Sequence, residues 1–105
     1  MATSANQIVS RTPRVVRGSV AFAGGVVPVS LSFTDSNKQT VLASSFEVQN
    51  LGNDPLKVSY DAAGTNYRTV LKDGIYSVDA TVGIIYVATT GNATYEITVY
   101  HDRFR

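Results

Sequence analysis

An alternation of apolar and polar residues recurs along this chain from Ser19 to Val99, and it constrains the fold more than any other feature. Val20 and Phe22 alternate with Ser19, Ala21 and Ala23, and Gly24-Gly25 ends that run. Val27, Val29, Leu31 and Phe33 face one way while Pro28, Ser30, Ser32 and Thr34 face the other. Further runs place Phe46 and Val48 against Glu47 and Gln49, Leu56, Val58 and Tyr60 against Lys57, Ser59 and Asp61, and Tyr95, Ile97 and Val99 against Thr94, Glu96 and Thr98. Tyr67–Leu71 and Ile75–Asp79 read as short strands. Ile84–Ala88 lacks polar alternation and is expected to be a central strand covered on both faces. Turn clusters separate the runs at Asp35–Lys38, Asn50–Pro55, Ala62–Asn66, Lys72–Gly74 and Thr90–Asn92.

Composition supports the same class. Val, Ile and Thr supply 31 of the 105 residues, whereas Glu and Lys number two and three, which leaves little material for surface helices. Seven or eight short strands joined by short turns imply antiparallel pairing. The expected fold is all-β: a small antiparallel β-sandwich (jelly-roll or Ig-like) or barrel with an extended N-terminal arm. The expected organisation is an arm over residues 1–18, a β-sandwich domain over 19–100 and a basic tail over 101–105. Pro13 disfavours a continuous central strand in the first segment.

The formal net charge of +1 hides an uneven distribution. Residues 1–18 contain Arg11, Arg14 and Arg17 and no acid, residues 19–100 carry a local charge of −3, and the last five residues add two Arg and one Asp. Three Arg with no aromatic residue between them suit nucleic acid poorly. Docking of a basic arm onto the acidic surface of a neighbouring subunit is the favoured reading. Its expected interface residues are Ile8, Val9, Arg11, Arg14, Val15, Val16 and Arg17, with Arg103, Phe104 and Arg105 from the tail. No membrane span and no secretory leader is expected, because no apolar run is long enough for a span and the start lacks a basic then apolar segment.

Catalysis finds little support. The chain has no Cys, so thiol chemistry and thiolate metal sites are excluded. His101 is the single His; beside Asp102 near the chain end, it is expected to be a solvated tail or interface residue. Asp35, Asp54, Asp61, Asp73 and Asp79 fall in turns or at strand ends, where Asp bonds its own backbone. Glu47 and Glu96 are weak candidates for a glycosidase pair. Asn92-Ala-Thr94 matches a glycosylation tripeptide but has no secretory context. No catalytic residue, cofactor or metal is expected, and the chain is read as a non-enzyme. Alternation puts Tyr60, Tyr86 and Tyr95 in the core. Tyr67, Tyr76 and Tyr100 fit less well and are candidate exposed aromatics, able to stack on sugar or anchor an interface.

The stretch Phe46–Asp61, with Asn50, Gly52 and Pro55 in its turn, is followed by Tyr67–Gly74, Ile85–Val87 and Gly91–Ile97. In that order these segments resemble small β-sandwich virion proteins of tailed bacteriophages, of the capsid decoration (cement) or tail accessory type, over about half the chain. The resemblance implies a structural subunit of the virion, assembled in the host cytoplasm. It would bind the major capsid protein or other virion subunits, bridge and stabilise the head, and act as a homo-oligomer, dimer or trimer. A tail, neck or fibre accessory protein and a carbohydrate-binding module are the alternatives.

Overall fold

The structure is a computed structural model that describes residues 9–34 and 36–104, with side chains described from Pro13 to His101 apart from residue 35. Ten strands follow in chain order: β1 (Val9–Ala21), β2 (Val27–Ser30), β3 (Phe33–Thr34), β4 (Thr40–Val41), β5 (Ala43–Asn50), β6 (Leu56–Ser59), β7 (Tyr67–Val70), β8 (Ile75–Val82), β9 (Ile84–Thr89) and β10 (Asn92–Phe104). A single 3-10 turn, Phe22–Gly24, links β1 to β2, and the described residues contain no α-helix.

Two four-stranded antiparallel sheets pack face to face, one ordered β1-β10-β5-β8 and the other β2-β9-β6-β7; β3 and β4 form a small separate ribbon. The pairings reveal how the chain is wound. Its two ends pair first, β1 with β10, then β2 with β9, β5 with β8, and β6 with β7. The eight main strands are thus one long antiparallel ribbon, rolled so that successive pairs alternate between sheets. The contacts β10–β5 and β6–β9 close the roll. This is the jelly-roll arrangement. Of the sequence expectations, the sandwich of jelly-roll type is realised, and the sheets do not close into a barrel.

Alternation along each strand builds the core. From β10, Ala93, Tyr95, Ile97 and Val99 point inward; from β5, Phe46 and Val48; from β6, Leu56 and Val58; and from β9, Ile85 and Val87. Each fully buried aliphatic side chain contributes about 1.5–3 kcal/mol relative to exposure. Asn50 is also fully buried and links the turns. Its side-chain amide donates to the carbonyls of Asp54 (2.8 Å) and Val70 (2.9 Å), while its Oδ1 accepts from the Gly52 N–H (2.9 Å). Its backbone N–H reaches Gly74 and its carbonyl accepts from Asp73. The Lys72–Gly74 turn is present, closed by Gly74 N–H to the Leu71 carbonyl at 2.8 Å, with Asp73 at φ 62°. It carries the chain from one sheet to the other rather than closing a hairpin.

Several expectations are corrected. Residues 1–18 are not a separate arm throughout: from Val9 the chain is an edge strand, in continuous register with β10 from Val9↔Phe104 to Ala21↔Asn92. Pro13 is tolerated because β1 has a neighbour on one side only. Likewise residues 101–104 are not a free tail but the end of β10. The run from Val27 to Thr34 is two strands, with Leu31 fully buried between them. β9 is central as expected, but its outer face is not covered, and Ile84 is exposed.

Candidate binding surface

The residues expected to form an arm interface take several places. Ile8 and Arg105 lie outside the described residues. Val9 pairs with Phe104, and Arg11 with Asp102, in the last part of the β1–β10 ladder; Arg103 lies opposite Ser10. β10 leaves β5 after Tyr100↔Ser45, so beyond that point only β1 and β10 continue together. Val16 turns inward and packs on the core, while Val15 faces out and is exposed. The two described Arg side chains of the segment find partners within the chain. Arg14 Nη1 donates to the Ser32 carbonyl at 3.0 Å, and Arg17 Nε donates to Glu96 Oε2 at 2.9 Å. Part of the basic start therefore docks on the acidic body of its own chain. Gly18 lies where the inward-facing Tyr95 ring needs space: a side chain there would collide with the Tyr95 hydroxyl end.

His101 is not solvated. It is fully buried, its Nε2 donates to the Leu31 carbonyl at 2.9 Å, and its ring meets Phe33 edge-on at 4.6 Å between centroids. Its Nδ1 has no hydrogen-bond partner. The chain end is covered because the Leu31–Phe33 crossover lies on it, a contact 70 residues apart in sequence. The ring is a packing element that fastens β10 to the crossover. No nucleophile or carboxylate is bonded to it among the described residues.

Tyr67, Tyr76 and Tyr100 occupy three different surfaces. Tyr67 is exposed on the side of β7 opposite the buried Val70, with the Lys57 ammonium 4.7 Å from its ring centre. Tyr100 is half-buried and borders a hollow of about 260 Å³ on the outer face of the first sheet, with Ser45, Glu47, Ser77 and Asp79. Tyr76 faces inward from β8, an edge strand, and belongs to an aromatic cluster at the open side of the sandwich.

That cluster is the most developed surface feature. Tyr60 and Tyr76 join hydroxyls at 2.9 Å, and both rings meet the buried Phe46 edge-on at 6.4 Å. The Arg68 guanidinium stands 5.6 Å from the centre of the Tyr76 ring. Tyr60, expected in the core, is 44% exposed, because β6 ends at Ser59 before the alternation can carry it inward. Beside Tyr76 lies a second hollow, of about 290 Å³, bordered by Arg68, Val70, Leu71 and Ile75; Leu71 is 64% and Ile75 60% exposed. Tyr76, expected as an exposed aromatic, instead faces the core, and alternation could not reveal that the ends of β6 and β7 and the start of β8 bring Tyr60, Leu71 and Ile75 together around it.

Partial burial, then the hydrogen bond and charge of Tyr76, raise the Tyr60 phenol well above its ordinary value, against the opposing pull of Arg68. Burial alone raises Tyr95. A raised folded-state pKa gives a stabilising contribution that is complete below the unfolded value of about 10 and declines as pH rises above it. An absorbance titration is therefore expected to show a lagging component from Tyr60 and Tyr95, and the protein to lose stability at alkaline pH. Tyr60→Phe removes one lagging phenol; an unchanged titration curve in that variant would refute the assignment. Asp61 moves the other way: its carboxylate accepts from the Thr65 hydroxyl (2.6 Å) and backbone N–H (3.1 Å), which lowers its pKa.

Among the described residues no group of three or more His, Cys, Asp or Glu is placed to hold a metal ion. Among the described residues no helix is long and apolar enough to cross a membrane. Comparison of the chain with known protein families and with curated proteins finds no match in either.

Proposed function

We propose that this protein is a non-enzymatic structural subunit of a tailed-phage virion: a capsid decoration subunit that attaches to the assembled head and stabilises it by bridging capsid subunits. The observation that carries the reading is the apolar patch on the open side of the sandwich, where Leu71, Ile75 and Tyr60 surround the Tyr76–Arg68 pair. Exposed apolar residues gathered beside aromatic and Arg side chains are the usual makings of a protein contact surface. Jelly rolls serve viral capsids and lectins alike, so the fold supports the reading by analogy only. The resemblance of Phe46–Val99 to small virion proteins favours the first of those two uses.

The test compares heated particles that carry the protein with particles stripped of it. Stripped particles are expected to release their genome at lower temperature, and re-addition of the protein to restore the original temperature. Particles indifferent to its removal would overturn the reading. A carbohydrate-binding role rests on the Tyr100 hollow with Glu47 and Asp79. In that case Tyr100→Ala, rather than Leu71→Asp, would abolish attachment.

A further inference from the structure

A two-sheet sandwich has four edges, here β1, β8, β2 and β7. An unpaired edge invites another strand, and proteins normally blunt it with Pro, cationic side chains or short length. Three of these edges are protected in that way. β1 carries Pro13, Arg14 and Arg17; β2 has four residues and includes Pro28; β7 has four residues and includes Arg68.

β8 is different. It runs for eight residues, Ile75–Val82, with neither Pro nor a cationic residue, and among the described residues it pairs with β5 alone; its register on β5 is regular from Ile75 to Asp79 and shifts by one residue only before Val82. Its inward side chains Tyr76, Val78 and Val82 pack against the core yet stay half-buried, and its start joins the exposed Ile75 and Leu71.

We propose that the open edge of β8 pairs with β8 of a second copy of this chain, antiparallel and centred on Val78, to make one eight-stranded sheet from two four-stranded ones. The partner follows from the charge pattern. β8 has one charged residue, Asp79, and antiparallel neighbours share a face, so a two-fold axis must pass through a residue position. Centred on Asp79, the axis sets two carboxylates against each other. Centred on Ser77, it presses Asp79 on the partner's Ile75. Centred on Val78, it sets Asp79 against the partner's Ser77 and Tyr76 against the partner's Ala80, while Ile75 meets the end of the partner strand, where the register shifts. Charge meets hydroxyl and large meets small. The strand is complementary to itself in that register, and the contact extends the apolar patch at Ile75 into the interface.

This contact deepens the assembly reading and rests on its expectation of a homo-oligomer, but its test uses purified full-length protein with no particle present. Attachment to particles by a strictly monomeric protein would overturn the contact and leave the assembly reading standing.

Sedimentation equilibrium is expected to show a reversible monomer–dimer equilibrium. Ser77 is exposed and lies opposite Glu47 of the same chain, so circular dichroism of each variant checks that the fold is kept before the dimer is measured. Ser77→Asp creates two like-charge oppositions per dimer and is expected to weaken it about fivefold or more. Ser77→Lys sets opposite charges across the axis, tightening the dimer and making it salt-sensitive. A protein monomeric at every concentration, or a dimer that responds alike to both variants, would overturn the proposal. Hydrogen exchange on the unmodified chain probes the same contact independently. Amides of β8 must gain protection as concentration rises while those of β2 and β7 do not; uniform or absent change refutes it.

Discussion

Deletion of residues 1–18 is expected to abolish the fold. β1 supplies one complete edge of the first sheet and pairs with β10 along its length. Its removal takes away the packing of Val16 and the register that holds the almost fully buried Val20. It also opens a second long unprotected edge on β10, whose inward row Ala93, Tyr95, Ile97 and Val99 forms much of the core. A domain of this size has a total stability of about 5–15 kcal/mol, and loss of an edge strand, with its ladder and the packing of Val16, consumes most of it. Far-ultraviolet circular dichroism with thermal melting decides the matter. A cooperative melt in the 1–18 deletion would show that β1 is dispensable, and the jelly roll as described would be wrong at its outer edge.

The second large effect is expected at Asn50. Its fully buried side chain makes three hydrogen bonds, two within the Asn50–Pro55 turn and one that ties the turn to Val70 of β7. Asn50→Ala leaves the Asp54 and Val70 carbonyls and the Gly52 N–H without that partner. Each such buried group costs about 1–3 kcal/mol, so a loss of about 3–5 kcal/mol is expected. At about 4–8 °C per kcal/mol, the melting temperature falls by more than about 10 °C. Asn50→Asp is expected to be no better, since it removes the donor and sets a carboxylate against two carbonyls. A melting temperature within a few degrees of the parent in both variants would contradict the bonding described.

Strands whose two faces differ strongly in polarity were legible in the sequence. β5, β6 and β10 alternate because one side meets the core and the other meets water, so Phe46, Val48, Leu56, Val58, Ile97 and Val99 could be assigned inward by period alone. The N-terminal strand was hidden by its position at an edge. Arg14, Val16 and Gly18 face inward there and Pro13, Val15 and Arg17 outward, so polarity does not separate the faces. The burial of His101 is not legible locally, because the crossover at Leu31 and Phe33 that packs on it is distant in sequence. Tyr60 follows the last residue of β6 and stands at the open side of the sandwich, so the alternation of Leu56 and Val58 does not bury it. The cluster at Tyr60, Tyr76 and Arg68, and the bare edge of β8, depend on which strands end each sheet. That is a property of strand order, and local periodicity contains no record of it.

The copy number of this protein in purified particles tests the central claim most directly. Quantitative mass spectrometry against the major capsid protein is expected to find it in a fixed ratio to the capsid subunits, retained through washing and lost together with thermal stability. Particles that lack the protein, or carry it in variable trace amounts, would contradict its assignment as a decoration subunit.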